Sequence, residues 1–419
     1  MSSYEIKVDA KDVRVGMYVS KLDRPWLETP FMLQGFRIND AEDLELLKEH
    51  CDYCYVDVER SPSFHPSQVK KFGVQSNPNV KFGVKSNHRT ITPELKKVRI
   101  YRDQVDMKDE LSSVRQTHRK MSDVVKDMLT TLSRKKKLDI AGARKALKPM
   151  VDSIIRNPDA LLWLNRLRVL DDYNYSHAID CSIWAMSMGR QLGMTRIDIE
   201  SLGLGAMLLD VGKTKLPSKL LTKTEPLTED EVKLLKSHVK LSMDIVNEEP
   251  GINMKIKNMI ETHHERIDGS GYPLGLKGQA IPLFGRIAAI VDCYDAITSD
   301  RAYAEPMSSQ EAVKKIYEWR GKDFQKELVE EFIQAIGMFP AGTLIELTTG
   351  EVGVVVAESR IRRLRPKIML ILDKNKAPRE DYVICNLMDT INDEDGNPLD
   401  IKQALPSGAY GIKADDYFL

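Results

Sequence analysis

Cysteine is scarce in this chain, with five among 419 residues, an odd number. That excludes a disulfide framework and makes the reducing cytoplasm the expected compartment. No apolar run approaches the roughly 18 residues of a membrane-spanning helix, so no membrane role is expected. The opening residues, MSSYEIKVDAKD, lack a basic start followed by an apolar core, so an export signal is not expected either. An excess of one charge sign is also missing: Lys+Arg and Asp+Glu are both 62, for a net charge of +0. That removes any global reason to expect a nucleic-acid partner. Residues 103–133 contain neither Gly nor Pro.

What is present is ordinary globular composition, 42% hydrophobic and 30% charged. At about 150 residues per domain, the length suggests two or three domains. Charge is uneven locally. Residues 1–60 hold 13 acids and 8 bases, residues 85–150 hold 18 bases and 8 acids, and residues 373–419 hold 10 acids and 5 bases. Aromatics do not interleave the basic stretch, so it reads as the solvated face of a helix.

The acidic, amphipathic stretch from Asp40 to His50 predicts a short helix, and the alternation from Val13 to Val19 and from Tyr53 to Val58 predicts strands. Cys51 and Cys54 have CxxC spacing, but no second Cys or His pair stands nearby, so a structural role is expected. The near-repeat KFGVQSN at 71–77 and KFGVKSN at 81–87 lies in a polar, Gly- and Pro-containing arm. In the Gly-free stretch, Leu111, Val114, His118, Met121, Val125, Met128 and Leu132 recur at 3,4 spacing, the pattern of a coiled-coil seam. A homodimer through that seam, loosened when His118 protonates, is the expectation; packing on the next domain is the rival. From 138 to 340 the pattern is helical, with breaks at 212–217, 249–251, 268–285 and 305–308. After Gly342, Leu344–Leu347, Val352–Ala357 and Lys367–Leu372 are β-branched apolar runs.

The expected fold is therefore mainly α. It comprises a small α+β N-terminal domain at 1–65, a linker or arm at 66–102 and a long helix at 103–135. An all-helical domain follows at 138–340, then a small β-rich C-terminal module at 341–419.

Four of the eight histidines, His177, His238, His263 and His264, fall in the helical region. With nearby aspartates they suggest a site for first-row transition ions. LLDVGK at 208–213 ends an apolar helix with Asp210 and breaks at Gly212. His263 and His264 are adjacent, about 100° apart if helical, and run into a loop with two glycines and a proline. The apolar helix at 286–301 carries Asp292 and Asp295 three positions apart.

HHERIDGSGYP at 263–273, LLDVGK at 208–213 and VDCYDAITSDRAY at 291–303 resemble the HD-GYP proteins, a branch of the HD phosphohydrolases. The likeness covers roughly 150–340. Residues 1–60 look like the uncharacterised domain that often precedes HD-GYP, and 342–356 look like a small extension common behind it. The resemblance implies an all-helical HD-GYP core that hydrolyses the bacterial messenger cyclic di-GMP, to linear pGpG, GMP or both. It implies two transition-metal ions, Fe or Mn above other divalent ions, on His177, Asp210, His238, His263, His264 and Asp292. Asp210 would bridge the ions and act in catalysis with Lys213. Lys213, Arg301 and Tyr303 would contact substrate, and Gly271, Tyr272 and Pro273 would offer a loop to protein partners.

Two positions depart from the pattern. The family's His-Asp pair reads Leu209-Asp210, and its Arg-Pro-Tyr-Lys segment reads Arg301-Ala-Tyr-Ala304. The carboxylate of three-metal members has no clear equivalent: Asp171 and Asp172 are near, but Tyr173 stands one turn before His177. These departures leave room for a degenerate domain that binds cyclic di-GMP or partner proteins without turnover. Hydrolysis of another cyclic dinucleotide, such as cyclic GMP–AMP, is a further alternative.

Overall fold

The computed structural model describes residues 5–23, 36–38, 41–57, 61, 99, 101–133, 138–167, 173–299, 306–357, 364–390, 392–393, 396–406 and 408–412. The chain divides into two units, 1–90 with 359–364, and 91–358 with 365–419. The near-repeat and nearly all of the arm at 66–102 lie outside the described residues.

The first unit contains β1 (Glu5–Asp9), β2 (Tyr18–Leu22), β3 (Phe36–Arg37), α1 (Ala41–His50) and β4 (Tyr53–Asp57). The strands form one antiparallel sheet in the order β1-β4-β2-β3. Ile6 and Val8 alternate inward from β1, Cys54 and Val56 from β4, and Leu46 and Leu47 from α1 close the core. Cys51 and Cys54 are both buried, and neither forms a disulfide. Burial, with Cys51 and Asp23 beside it, pushes the Cys54 thiol up to about 12, which disfavours the thiolate that metal or redox chemistry needs.

The second unit opens with a long helix, α2 (Met107–Ser133), followed by α3 (Ile140–Arg156), α4 (Pro158–Leu167), α5 (Tyr173–Gln191) and α6 (Arg196–Met207). A 3-10 turn (Val211–Lys215) leads to α7 (Ser218–Leu221), α8 (Glu229–Lys236), α9 (His238–Asn247), α10 (Met254–Thr262), α11 (Leu283–Thr298), α12 (Ser309–Glu318) and α13 (Lys326–Ile336). Local chemistry sets several boundaries. Thr228 with Glu231, and Ser308 with Glu311, form reciprocal capping boxes at the starts of α8 and α12. The side chain of Asp139 caps α3 through Gly142 N.

A five-stranded antiparallel sheet follows, in the order β8-β7-β6-β5-β9: β5 (Leu344–Leu347), β6 (Val352–Ala357), β7 (Lys367–Leu372), β8 (Pro378–Asn386) and β9 (Ile401–Leu405). It joins the helices where Ser309 Oγ meets Thr343 Oγ1 at 3.2 Å and Ala404 N donates to Gln310 Oε1 at 3.4 Å. No described helix is long and apolar enough to cross a membrane.

The seam of α2 packs within its own chain. Leu111, Val114, His118, Met121, Val125, Met128 and Leu132 are all buried, against α3, α4, α5 and the 211–215 turn. His118 Nε2 lies 3.4 Å from Asn165 Oδ1, so it is satisfied internally and does not face a second copy. The expected coiled-coil homodimer through this seam is corrected accordingly. A 3,4 spacing is the same stripe whether the partner helix belongs to another chain or to this one. The basic residues Arg119, Lys120 and Lys126 line the exposed side of α2. Arg156 grips Glu110 with two nitrogens, at 2.9 and 2.6 Å, and ties the start of α2 to the end of α3.

Met121 is fully buried in this packing. Met121→Ala should therefore lower the unfolding free energy by about 2–5 kcal/mol in denaturant titration. Sedimentation of the folded fraction should match wild type; a folded variant that dissociates would instead place the seam between two chains.

Candidate metal centre

Six segments converge on one point. Helices α5, α6, α10 and α11 pack on one another, and the 211–215 turn packs on α9. His177 comes from α5, His238 opens α9, and Asp292 sits on the buried face of α11. Asp210 follows α6 in a tight turn and does not end the helix itself, which stops at Met207. Gly212 makes that turn possible. A Cβ there would meet His238 O at 2.1 Å, while Gly212 N donates to Ser242 Oγ at 2.8 Å and Ser242 donates to Leu209 O at 3.0 Å. His263 and His264 also differ from the helical expectation: α10 ends at Thr262, and the pair lies in the turn that follows. That turn lets both rings face the same side as His238.

Two donor groups result, Asp210 with His238, His263 and His264, and His177 with Asp292 and Cys181. Asp210 joins them. Its Oδ2 lies 3.3 Å from His177 Nε2, and its Oδ1 lies 3.2 Å from His238 Nε2. His177 Nε2 is also 3.2 Å from Asp292 Oδ1, and His264 Nε2 is 3.2 Å from His238 Nε2. Lys213 Nζ donates to Asp210 Oδ2 at 2.6 Å.

The imidazole orientations suit a cation. His238 Nδ1 donates to Leu235 O at 2.7 Å, and His263 Nδ1 donates to Ile260 O at 2.7 Å. A neutral ring that spends its proton on Nδ1 presents a lone pair at Nε2. His238 Nε2 faces a carboxylate oxygen, and His263 Nε2 is buried with no hydrogen-bond partner. Such a set is satisfied by a metal ion, not by protein hydrogens. Burial, with His238 beside it, lowers His263 to about 4, and burial with His263 beside it lowers His264 well below its ordinary value, so both rings are neutral at pH 7. Burial works against the charge of Asp210 and Asp292. Lys213 and the His177 contact overcome it at Asp210, and the His177 contact leads at Asp292, so both carboxyls are held below their ordinary value.

The structure brings His177, Asp210, Lys213, His238, His263, His264 and Asp292 together. Arg301, Tyr303 and Ala304, and the third-metal candidates Asp171 and Asp172, lie outside the described residues. The Gly271-Tyr272-Pro273 triplet turns inward for two of its three residues. A Cβ on Gly271 would come within 2.5 Å of the 264–266 backbone. The Tyr272 ring stacks on His264 at 4.6 Å between centroids. Glu265, buried, holds the loop by accepting from Leu274 N, Gly275 N and Leu276 N.

Cys181 and Glu265 were not legible as site residues from sequence, although Cys181 stands one helical turn after His177. Its Sγ is 3.6 and 3.7 Å from the two ring nitrogens. It therefore lies beside the ring and not along the Nε2 lone pair. Burial raises its thiol.

A histidine in the unfolded chain titrates near 6.5, whereas His263 is held at about 4. As pH falls through that window the unfolded state takes up protons first, so metal-free protein should lose stability between about pH 6.5 and 4. Thermal unfolding in chelator should show a falling midpoint over this range; a flat or rising one contradicts neutral rings.

A family model described as HD domain matches residues 150–328, and one described as a domain of unknown function (DUF3391) matches residues 5–143. A protein named cyclic di-GMP phosphodiesterase from Pseudomonas aeruginosa is 27% identical over 90% of this chain and 88% of its own length. A cyclic di-GMP phosphodiesterase response regulator from Xanthomonas campestris is 35% identical over 35% of this chain and 39% of its own. A 3'3'-cGAMP-specific phosphodiesterase from Vibrio cholerae is 30% identical over 38% of this chain and 31% of its own. Residues 150–328 thus match the HD domain family, and the segment from His263-His264 to Gly271-Tyr272-Pro273 is where the chain resembles its HD-GYP branch.

Proposed function

We propose that the protein is a metal-dependent phosphodiesterase that hydrolyses cyclic di-GMP to linear pGpG, GMP or both. The observation that carries this reading is the buried convergence of imidazole nitrogens on Asp210 and Asp292, with His263 Nε2 left without a hydrogen-bond partner. His177, Asp210 and Asp292 would hold one ion, and Asp210, His238, His263 and His264 the second. Mixed imidazole and carboxylate donors suit Mn²⁺ or Fe²⁺. When bound, two ions supply an acidified water as nucleophile and neutralise charge on the phosphorane.

The chain's own residues do the rest. Asp210 presents one oxygen to each donor group and so fixes their spacing. Lys213 carries a partly exposed ammonium at the rim of the site, where it offers a point charge to a phosphate oxygen. Arg301 and Tyr303 are the proposed further substrate contacts. Burial of His263 and His264 keeps their lone pairs available at neutral pH. The names of the relatives support a cyclic dinucleotide as substrate, and the Vibrio cholerae relative keeps cyclic GMP–AMP as the second choice.

Leu209 favours the other reading, binding without turnover. It is 1% exposed, so the ligand position of the family's histidine is filled by a core side chain. A partner role is proposed for the outer side of the 271–274 loop, where Pro273 is exposed and Leu274 is 57% exposed. The five free cysteines suit the cytoplasm, which we propose as the compartment.

Anaerobic assay of cyclic di-GMP with added Mn²⁺ or Fe²⁺ tests the activity. Turnover that falls more than about 100-fold in His263→Ala is expected, beyond the 10–100-fold typical of losing a group behind a ligand. Metal-loaded protein that binds cyclic di-GMP unchanged would establish the degenerate reading instead.

A further inference from the structure

The imidazoles of the site are not backed alike. His238 and His263 donate from Nδ1 to main-chain carbonyls. His177 instead directs Nδ1 at the carboxylate of Asp295, 2.7 Å away. Asp295 is 2% exposed, and its remaining contacts come from Trp184 Nε1 at 3.4 Å and Ser299 Oγ at 3.3 Å. Asp292 and Asp295 are three residues apart on α11 and meet opposite edges of one ring: Asp292 faces Nε2 and Asp295 faces Nδ1. One helix thus supplies both a candidate ligand and the group behind its neighbour.

We propose that Asp295 is a positioning residue that strengthens His177, the one histidine of the first donor group, as a donor to the first ion. The inference rests on the two-ion reading above. A carboxylate that accepts the Nδ1 proton fixes the tautomer, locks the ring's rotation and shifts electron density toward Nε2; a carbonyl does the first two with less of the third. The strongest imidazole therefore stands in the group that has the fewest. The first group has one histidine and two aspartates, whereas the second has three histidines and one aspartate. Asp295 has no hydrogen bond to His238, His263 or His264, so its effect belongs to the first ion alone. A purely structural Asp295, filling its place for Trp184 and Ser299, would leave metal affinity untouched.

Mn²⁺ titration of the full chain, followed by the electron paramagnetic resonance of the free ion, reads both binding steps. Asp295→Asn keeps the shape of the side chain and should weaken one step by about 10–100-fold while leaving the other unchanged. Equal affinities for both ions in folded Asp295→Asn overturn the inference and leave the two-ion reading standing. Fewer than two ions on wild type overturns both. A second measurement needs no variant. In zinc-loaded wild type with ¹⁵N-labelled histidine, His177 should show an exchange-protected, strongly deshielded proton on Nδ1. Absence of that proton overturns the inference even where the variant does not fold.

Discussion

Two carboxylates buried in a helical core, Asp210 and Asp292, set the terms for the rest of the structure. An ionised carboxylate taken out of water is costly unless cations or hydrogen-bond donors surround it. Here Lys213 is the one lysine or arginine in direct contact with Asp210 among the described residues, and His238 and His263 spend their Nδ1 protons on main-chain carbonyls. The arrangement makes sense as a container for positive charge. Helices α5, α9 and α11, the turn after α10 and the turn after α6 deliver one or two donors each. Their close approach depends on small contacts such as Gly212 under the carbonyl of His238 and Gly271 against the backbone of the histidine pair. Replacing either glycine would move a donor before it disturbed the core.

Much of this was legible from residue pattern. The strands β5, β6 and β7 fall at the positions their β-branched runs mark, and α2 follows from a stretch without Gly or Pro. β8 and β9 escaped because PREDYVICN and IKQAL mix polar and apolar residues on edge strands with partly exposed faces, such as Val383 and Ile384. β1 alternates cleanly over only five residues, too short to stand out. The partner of the α2 stripe was not legible, because periodicity reports that a face is buried and not what buries it.

The site shows the same division. The ligand types and their clustering could be read from local sequence with a family likeness, and the structure brings those residues together. What the sequence withheld was direction. Three-residue spacing puts Asp292 and Asp295 on neighbouring positions of α11, yet only the placement of His177 between them separates a ligand from the group behind it. Likewise the Gly271-Tyr272-Pro273 triplet reads as an exposed loop in sequence, but its tyrosine is stacked on His264 and its glycine lies against the backbone. Leu209 is the converse case. Its buried side chain is ordinary core, and its meaning comes only from what a related chain carries at that position.

The central claim is that the Asp210 carboxylate joins two ion sites in this chain. Anomalous diffraction from crystals grown anaerobically with Mn²⁺ tests it directly. The account predicts two peaks on either side of Asp210, one contacted by His177 and Asp292 and the other by His238 with His263 or His264. A single peak, or peaks away from Asp210, would contradict it.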